Sequence, residues 1–321
     1  MSLHAWSSAR YVIPLPEGHR FPIAKYGLLR EAVLRDGLVA EERLHEPERV
    51  SVEDLLLVHT HDYVRRFIEG ALTDSEVRRI GLPWSPHLVE RSHRATGGTC
   101  EAAEAALELG VTVNLAGGTH HAFPGHGEGF CVFNDVAIAV RRLQRLGRIR
   151  RAAIVDLDVH QGNGTHAIFA DDATVFTFSM HGERNYPYTL PRRHAGEGAG
   201  GYGGRVDADL DVALADGMGD AGYLETLATH LPAALAAARP DLVVYLAGVD
   251  PHEGDRLGRL RLTFEGLARR DAYVLETCRE VGLPVVVTIG GGYGHDVRDT
   301  VRAHANTVRV AGNYQGTGCG V

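Results

Sequence analysis

The alternation of short apolar runs with helical patterns constrains this chain more than any other feature of its sequence. Five runs rich in β-branched residues each end in glycines or polar residues, at 111–115, 152–157, 175–178, 242–246 and 285–289. Unbroken apolar runs predict strands that are buried on both faces of a sheet. Apolar residues recur at helical spacing beside these runs, at 99–109, 135–146, 222–238, 264–281 and 296–310. We therefore predict an α/β fold with a central, mostly parallel sheet and helices on both of its faces.

The length of 321 residues, without an internal repeat or a clear linker, indicates the domain organisation. Single α/β domains of this size are common, so we predict one catalytic domain over 1–321. Residues 1–50 contain several prolines and follow no pattern that places them. The glycine-rich stretch 192–205 is either a mobile surface loop or a border of the active site. Asp296 is the expected N-cap of the last helix.

Composition and charge exclude several classes of protein. The formal net charge is −8 and no basic block stands out, which argues against nucleic-acid binding. We expect no membrane association, because no apolar stretch has the length of a membrane helix and the first ten residues lack a secretory signal. Four cysteines without a C-x-x-C pair fit a reducing cytoplasm. The negative net charge weakly favours cationic substrates such as lysine peptides or polyamines. A charge that keeps the protein soluble is the alternative explanation.

The stretch Asp156-Leu-Asp158-Val-His160 follows a predicted buried strand. Side chains two apart on an extended chain point the same way, so the two carboxylates and the imidazole share a side. Carboxylates crowded at a buried strand end repel one another, and a bound cation relieves that repulsion. Aspartate and histidine are normal zinc ligands. A turn or a hydrogen-bonded Asp–His cap is the alternative, but the buried strand and the glycines that follow favour a metal.

A catalytic zinc needs a third protein ligand, and Asp250 is the best candidate because it follows the run at 242–246. Three ligands leave a coordination position open for water and substrate. In isolation, a helix cap or a turn would explain Asp250 better.

Two other polar groups follow predicted strands. His120 and His121 come after two glycines, and imidazoles titrate near neutrality, which suits general acid–base catalysis. A surface histidine pair is the alternative. The glycines at 290–292 allow a ligand close to the backbone, and the hydroxyl of Tyr293 could donate to a developing oxyanion. Glycine-rich turns with a tyrosine are widespread, so the stretch 290–293 alone is weak evidence for a catalytic site.

Taken together and in this order, these motifs resemble the histone deacetylase family, which includes protein deacetylases, acetylpolyamine amidohydrolases and acetoin-utilisation proteins. The resemblance extends from about 21 to 311 and is closest to the class IV branch. The matching stretches are LLLVHTHDYV, GGTHHAFPGHGEGFCVFND, IVDLDVHQGNG, FSMH, YLAGVDPHEGDRLG and IGGGYG.

The resemblance implies an arginase-like α/β fold and assigns roles to the catalytic residues. Zinc would lie on Asp158, His160 and Asp250. His121 would be the general base that activates water, and His120 would stabilise charge beside it. The resemblance also implies that Tyr293 holds the substrate carbonyl as it becomes an oxyanion.

The resemblance further implies a structural potassium ion and a substrate tunnel. Asp156 would orient the first histidine and, with Ser179 and the backbone carbonyls of Asp158, His160 and Met180, would bind the potassium. The tunnel residues implied by the resemblance are Gly129, Phe130, Tyr186 and Gly291.

These inferences predict a zinc-dependent amide hydrolase that removes acetyl or longer acyl groups from the ε-amine of lysine in peptides or proteins. An acetylpolyamine amidohydrolase with the same catalytic residues is the first alternative. A ureohydrolase with two manganese ions is disfavoured, because Pro251 and His252 follow Asp250 and no second ligand set is evident. An inactive module that binds acyl-peptides is the remaining alternative. The sequence indicates neither the acyl length nor the oligomeric state.

Two residues depart from the pattern that many relatives share. Gln161 stands where many have a second histidine, and Asn163 stands where many have an aspartate that partners His121. A neutral amide orients an imidazole but does not stabilise its charged form as a carboxylate does. We therefore predict a lower pKa for His121 than an aspartate at 163 would produce.

Overall fold

The five predicted strands lie in one eight-stranded sheet in a computed structural model of the chain, which describes residues 3–188 and 204–314. All neighbouring strands are parallel, in the order β2-β1-β3-β8-β7-β4-β5-β6. The strands are β1 His4–Trp6, β2 Leu44–His45, β3 Val111–Asn114, β4 Ala152–Asp156, β5 Val175–Gly182, β6 Leu210–Leu214, β7 Leu242–Leu246 and β8 Val285–Thr288.

The five predicted helices are confirmed within the ten α-helices of the described residues. The helices are α1 Ala24–Arg35, α2 Val52–Leu55, α3 His61–Glu69, α4 Asp74–Ile80, α5 Pro86–Leu109, α6 Asp135–Arg145, α7 Asn163–Phe169, α8 Asp220–Ala238, α9 Phe264–Glu280 and α10 Val297–Gly312. Helix α5 starts well before the predicted position 99, because Ser85 caps it and Pro86 is well suited to its first turn. Asp296 is the N-cap of α10, as predicted, and accepts from the amide of Arg298.

The central strands are buried at every position, which explains why their sequences lack alternation. Val155 and Tyr245 belong to one hydrophobic cluster, and their neighbours Ile154 and Val244 belong to another. Successive side chains of a strand point to opposite faces, so the two clusters cover the two faces of the sheet. The prediction of helices on both faces is confirmed.

The N-terminal section, which the sequence did not place, supplies the edge strands β1 and β2 and the helix α1. Ala5 of β1 pairs with Val113 of β3, and α1 packs against α10. Edge strands this short contain too few residues for a recognisable pattern. The opposite edge strand, β6, was also missed, because only its last residue is buried.

Parallel strands place all their carboxyl ends at one edge of the sheet, where ligands bind in folds of this kind. In the described parts of the chain, no helix combines the length and apolarity needed to cross a membrane. The glycine-rich stretch predicted as a surface loop or active-site border lies outside the described residues except for 204 and 205.

Candidate active site

Three side chains from two strand ends meet at the carboxyl edge of the sheet. Asp158 and His160 follow β4, and Asp250 follows β7. His160 Nδ1 lies 2.9 Å from Asp158 Oδ1 and 3.2 Å from Asp250 Oδ2. One possible ligand atom from each residue lies within 4.8 Å of the others, and all three residues are buried. The structure therefore brings together the three residues predicted to bind a metal.

Backbone amides hold the two carboxylates in place. The amide of Val159 donates to Asp250 Oδ1 at 2.9 Å, and the amide of Gly291 donates to Asp158 Oδ2 at 2.8 Å. A Cβ atom at position 291 would lie only 2.0 Å from Asp250 Oδ2. Glycine at 291 is therefore required by the close approach of the chain after β8 to the carboxylates.

The electrostatics of this group fit a bound cation. Burial and the neighbouring Asp158 raise the pKa of Asp250 to about 7, and the contact of Oδ2 with His160 offsets this rise only in part. Burial opposes ionisation of Asp158 too, but His120 and His160 hold its pKa well below the ordinary value. A divalent cation would neutralise two buried carboxylates that otherwise repel each other. Two oxygen donors and one imidazole nitrogen fit zinc, and three ligands leave a position open.

His120 is buried against a carboxylate. Its Nδ1 lies 2.6 Å from Asp156 Oδ2, and both side chains are almost fully buried. Burial lowers the pKa of His120, but Asp156 and Asp158 outweigh burial and raise this pKa to about 9. His120 is therefore protonated at neutral pH.

His121 is buried against an amide. Its Nδ1 lies 2.7 Å from Asn163 Oδ1, at the start of α7. Burial and the charges of His120 and His160 lower the pKa of His121 well below 6.5, and the bond to Asn163 opposes them only in part. That an aspartate at 163 would give His121 a higher pKa than Asn163 does stays a prediction, because the lowering comes from burial and from the two neighbouring histidines. His121 is unprotonated at neutral pH and can accept a proton.

A cavity of about 350 Å³ leads to these groups, and all four predicted tunnel residues line it: Gly129, Phe130, Tyr186 and Gly291. The ring of Tyr186 lies 4.8 Å from that of His121, and the ring of Phe130 lies 5.9 Å from that of Tyr293. Gly129 and Phe130 both have positive φ, and a Cβ at 129 would lie 2.6 Å from His121 Cδ2. The turn at 129–130 thus brings the wall of the cavity directly against the imidazole.

Tyr293 also lines the cavity, with its ring 6.4 Å from that of His160. Burial and the charges of Asp158 and Asp250 raise the pKa of Tyr293 well above 10. Its hydroxyl therefore keeps its proton at neutral pH and is available as a hydrogen-bond donor.

The residues predicted to bind potassium lie behind the cavity. Asp156 and Ser179 are register partners in β4 and β5, and Met180 is the next residue of β5. All three are buried. Ser179 Oγ lies 3.1 Å from His181 Nδ1. These positions do not test the potassium site, which stays a prediction.

Sequence reasoning missed several residues at the cavity. Its inner part is lined by Lys25 and Arg91, whose side chains donate to backbone carbonyls at 3.2 Å and 3.1 Å, respectively. Glu128 is fully buried and accepts from the side chains of Asn163 and Tyr186. The partners of these residues are distant in sequence, so no local motif pointed to them. The one available sign was Lys25, the single lysine of the chain.

Comparisons with known proteins were made on the whole chain. The histone deacetylase domain family matches residues 19–308. Histone deacetylase 2 of Arabidopsis thaliana is 31% identical over 296 residues, which are 90% of this chain and 73% of that protein. An uncharacterised protein of Picosynechococcus is 50% identical over 94% of this chain and 95% of its own length. The crystal structure of an HDAC homologue from Aquifex aeolicus superposes with a TM-score of 0.81 at 26% identity, covering 98% of this chain and 84% of that one.

The family match covers residues 19–308, and the structural match covers 98% of this chain. The chain belongs to the histone deacetylase family.

Proposed function

We propose that this protein is a zinc-dependent deacylase that hydrolyses the amide between an acyl group and the ε-amine of lysine in peptides or proteins. One observation supports this proposal above all others. The cavity leads to the buried Asp158–His160–Asp250 group beside His121, whose pKa leaves it ready to accept a proton.

Asp158, His160 and Asp250 would hold the zinc. When bound, the metal supplies Lewis acidity for the scissile carbonyl and for the attacking water. The residues of this chain supply the proton transfers. His121 takes a proton from the water, and the hydroxyl of Tyr293 donates to the oxyanion that forms on the substrate. A protonated histidine then gives its proton to the departing amine, and the charge of His120 stabilises the anionic stages.

Turnover of fluorogenic acyl-lysine peptides by zinc-loaded protein tests the proposal, beside the variants Tyr293→Phe and His121→Ala. We expect both variants to lose turnover by about 100-fold or more. Tyr188→Phe at the exposed rim of the cavity and His87→Ala on the surface of α5 are matched controls that should keep it. Absence of turnover with any lysine peptide, together with turnover of acetylspermidine, would favour the polyamine alternative. Tight binding of acyl-peptides without any turnover would favour the inactive binding module.

The acyl group is proposed to be longer than acetyl. Besides His121, the cavity is lined by the buried side chains of Arg91, Thr96 and Phe133, which leaves room for more than an acetyl group in its volume of about 350 Å³. A peptide series from acetyl to myristoyl should therefore show a higher kcat/KM for the longer chains. Cleavage of acetyl alone would refute this part of the proposal while leaving the deacylase function intact.

Potassium and cellular location complete the proposal. A potassium ion near Asp156, Ser179 and the carbonyl of Met180 is supported by their burial side by side in β4 and β5. Replacing KCl by NaCl should then lower the melting temperature. Cys100, Cys131 and Cys278 are buried free thiols, which supports a reducing, cytoplasmic location.

A further inference from the structure

The mouth of the cavity is lined by three arginines. Arg20 precedes α1, and Arg78 and Arg79 lie in the last turn of α4. The backbone carbonyl of Arg79 accepts from the amide of Gly129 at 3.2 Å, so the end of α4 is fixed to the turn that forms the cavity wall. Arg20 and Arg78 are exposed and Arg79 is half-buried. The side chains of Arg20 and Arg78 are therefore open to solvent, and that of Arg79 is so in part.

Acidic groups near the mouth do not neutralise these arginines. Over residues 3–188 and 204–314, no salt bridge joins Arg20, Arg78 or Arg79 to a carboxylate. Glu76 of α4 is paired with Arg66 at 2.8 Å. Asp255, beside the wall residue Leu257, accepts from backbone amides, including that of Tyr293 at 2.5 Å. Among the described residues, the mouth therefore presents three arginines that no carboxylate pairs, on a chain whose net charge is −8.

We propose that this mouth is a docking surface for the acidic flanks of an acyl-lysine peptide. The proposal rests on the deacylase function proposed above and narrows its substrate class. Carboxylates on either side of the acyl-lysine would lie against the three arginines, whereas the free ammonium groups of an acylated polyamine would be repelled.

The test uses zinc-loaded protein and three substrates that carry the same acyl-lysine: one with flanking glutamates, one with flanking lysines, and an acyl-lysine amide without flanks. We expect kcat/KM to be about tenfold higher with glutamates than with lysines at low salt, and the difference to shrink at 0.5 M salt. The combined variant Arg20→Gln, Arg78→Gln, Arg79→Gln should lose this preference and keep its rate on the amide without flanks. A control variant changes three exposed arginines that do not line the cavity and that form no salt bridge with any described residue: Arg30, Arg269 and Arg309.

Equal rates with both flanked peptides, or faster cleavage of the lysine-flanked one, would overturn the docking surface while the amide is still cleaved. Failure to cleave even the amide would instead overturn the proposed function. If the amide is not cleaved, fluorescence anisotropy tests the docking surface by binding alone. A labelled glutamate-flanked peptide should bind wild type more tightly than the triple variant.

A second, independent observation concerns the buried carboxyl group of Glu128. Its Oε1 accepts from Asn163 Nδ2 at 3.0 Å and from the hydroxyl of Tyr186. Asn163 Nδ2 also donates to the carbonyl of Gly204 at 3.3 Å. Two acceptors therefore determine which side of the Asn163 amide carries the NH₂ group.

The orientation of this amide determines the tautomer of His121. With Nδ2 directed to Glu128, the Oδ1 atom of Asn163 faces His121 Nδ1 at 2.7 Å. An amide oxygen only accepts, so the proton of the neutral imidazole lies on Nδ1. Nε2 is left as the nitrogen that can take a proton. A reversed amide would place a donor against Nδ1 and would favour the proton on Nε2, which disables the base.

We infer that Glu128 is a positioning residue that acts on His121 through Asn163. Replacing Glu128 by methionine keeps the side-chain length but removes both acceptor oxygens, so only the longer bond to the carbonyl of Gly204 still opposes reversal of the Asn163 amide. We expect Glu128→Met to lower kcat by about tenfold or more with little change in KM. Glu128→Gln retains one acceptor oxygen, so its kcat should fall less than that of Glu128→Met.

Rescue by a second substitution separates this role from a merely structural one. An aspartate at 163 presents only acceptors to His121 whichever way it turns. The double variant Glu128→Met, Asn163→Asp should therefore recover much of the activity that Glu128→Met loses. No recovery in a double variant that melts like wild type would overturn the inference.

A direct measurement covers the case in which Glu128→Met does not fold. The ¹⁵N shifts of the His121 ring in zinc-loaded wild type, assigned by comparison with His121→Ala, should show the proton on Nδ1. A proton on Nε2 would overturn the inference whether or not a substrate is known.

Discussion

His120 and His121 are neighbours in sequence, and their ring centroids lie 4.1 Å apart. Both are almost fully buried, so desolvation lowers the pKa of each. Their partners differ: His120 Nδ1 faces the carboxylate of Asp156, and His121 Nδ1 faces the amide of Asn163. The pKa of His120 rises to about 9, and that of His121 falls well below 6.5. The facing carboxylate, with Asp158 nearby, makes His120 charged, whereas the amide facing His121 only partly opposes burial and the charges of the neighbouring histidines.

The largest expected effect comes from removing the neutral histidine. His121→Ala deletes the proposed base and should lower kcat by about 1,000-fold. His120→Ala should cost less, because it removes a charge that stabilises the reaction and leaves the base in place. Steady-state kinetics on one acyl-lysine peptide compares the two. A greater loss in His120→Ala would reverse the assignment of roles.

Removing the charged partner of His120 should make the two histidines more alike. In Asp156→Asn, Asp158 is left as the nearby carboxylate that opposes burial, so the pKa of His120 should fall from about 9 towards its ordinary value. An NMR titration of the His120 ring measures the shift, at fixed KCl because Asp156 is also a proposed potassium ligand. We expect kcat to fall by about 10- to 100-fold. A His120 pKa that stays near 9 would show that Asp156 is not the cause of the shift.

A charged partner for His121 should shift the pH dependence of activity. A base works only while it is unprotonated, so activity falls as the pH drops below the pKa of His121. Asn163→Asp raises this pKa and should shift the acidic limb of the pH–rate profile upward by about one unit or more. Asn313→Asp on the surface after α10 should leave the profile unchanged. An unmoved limb in Asn163→Asp would disprove the coupling between the two residues.

The smallest expected effect is proton release from His160, the third histidine of the site, when zinc binds. Burial lowers the pKa of His160, but Asp158 and Asp250 outweigh burial and raise it well above 6.5 in the metal-free protein. Zinc binding requires the unprotonated ring, so metal uptake at pH 7 should release about one proton or more. Calorimetry in two buffers of different ionisation enthalpy counts these protons. Uptake without proton release would contradict the ligand role of His160.

The sequence predicted the centre of the fold better than its edges. Strands such as 242–246 are buried on both faces, so unbroken apolar runs revealed them. In β6, most positions are exposed or half-buried and one is buried. The short strands β1 and β2 form through parallel pairing with longer neighbouring strands. Short edge strands depend on tertiary pairing, which local composition does not encode.

The residues of the candidate site also differ in whether the sequence predicted them. Asp158 and His160 were predictable because they share a strand end, and Asp250 because parallel strands end at one edge. Glu128 and Lys25 were not, since their roles depend on partners at 163 and 290 that only the folded chain brings within reach. The resemblance to a known family supplied the functional roles, which spacing alone left open.

The hydrogen bond from Lys25 to the carbonyl of Gly290 has a consequence for synthesis of the protein on the ribosome. A residue of the first helix completes the backbone turn that follows the last strand. The pocket cannot be whole until residue 293 has left the exit tunnel, although Asp158 and His160 emerge much earlier. A metal held by Asp158, His160 and Asp250 would therefore meet its finished site only late in synthesis, and a chain stalled before residue 293 would lack that site.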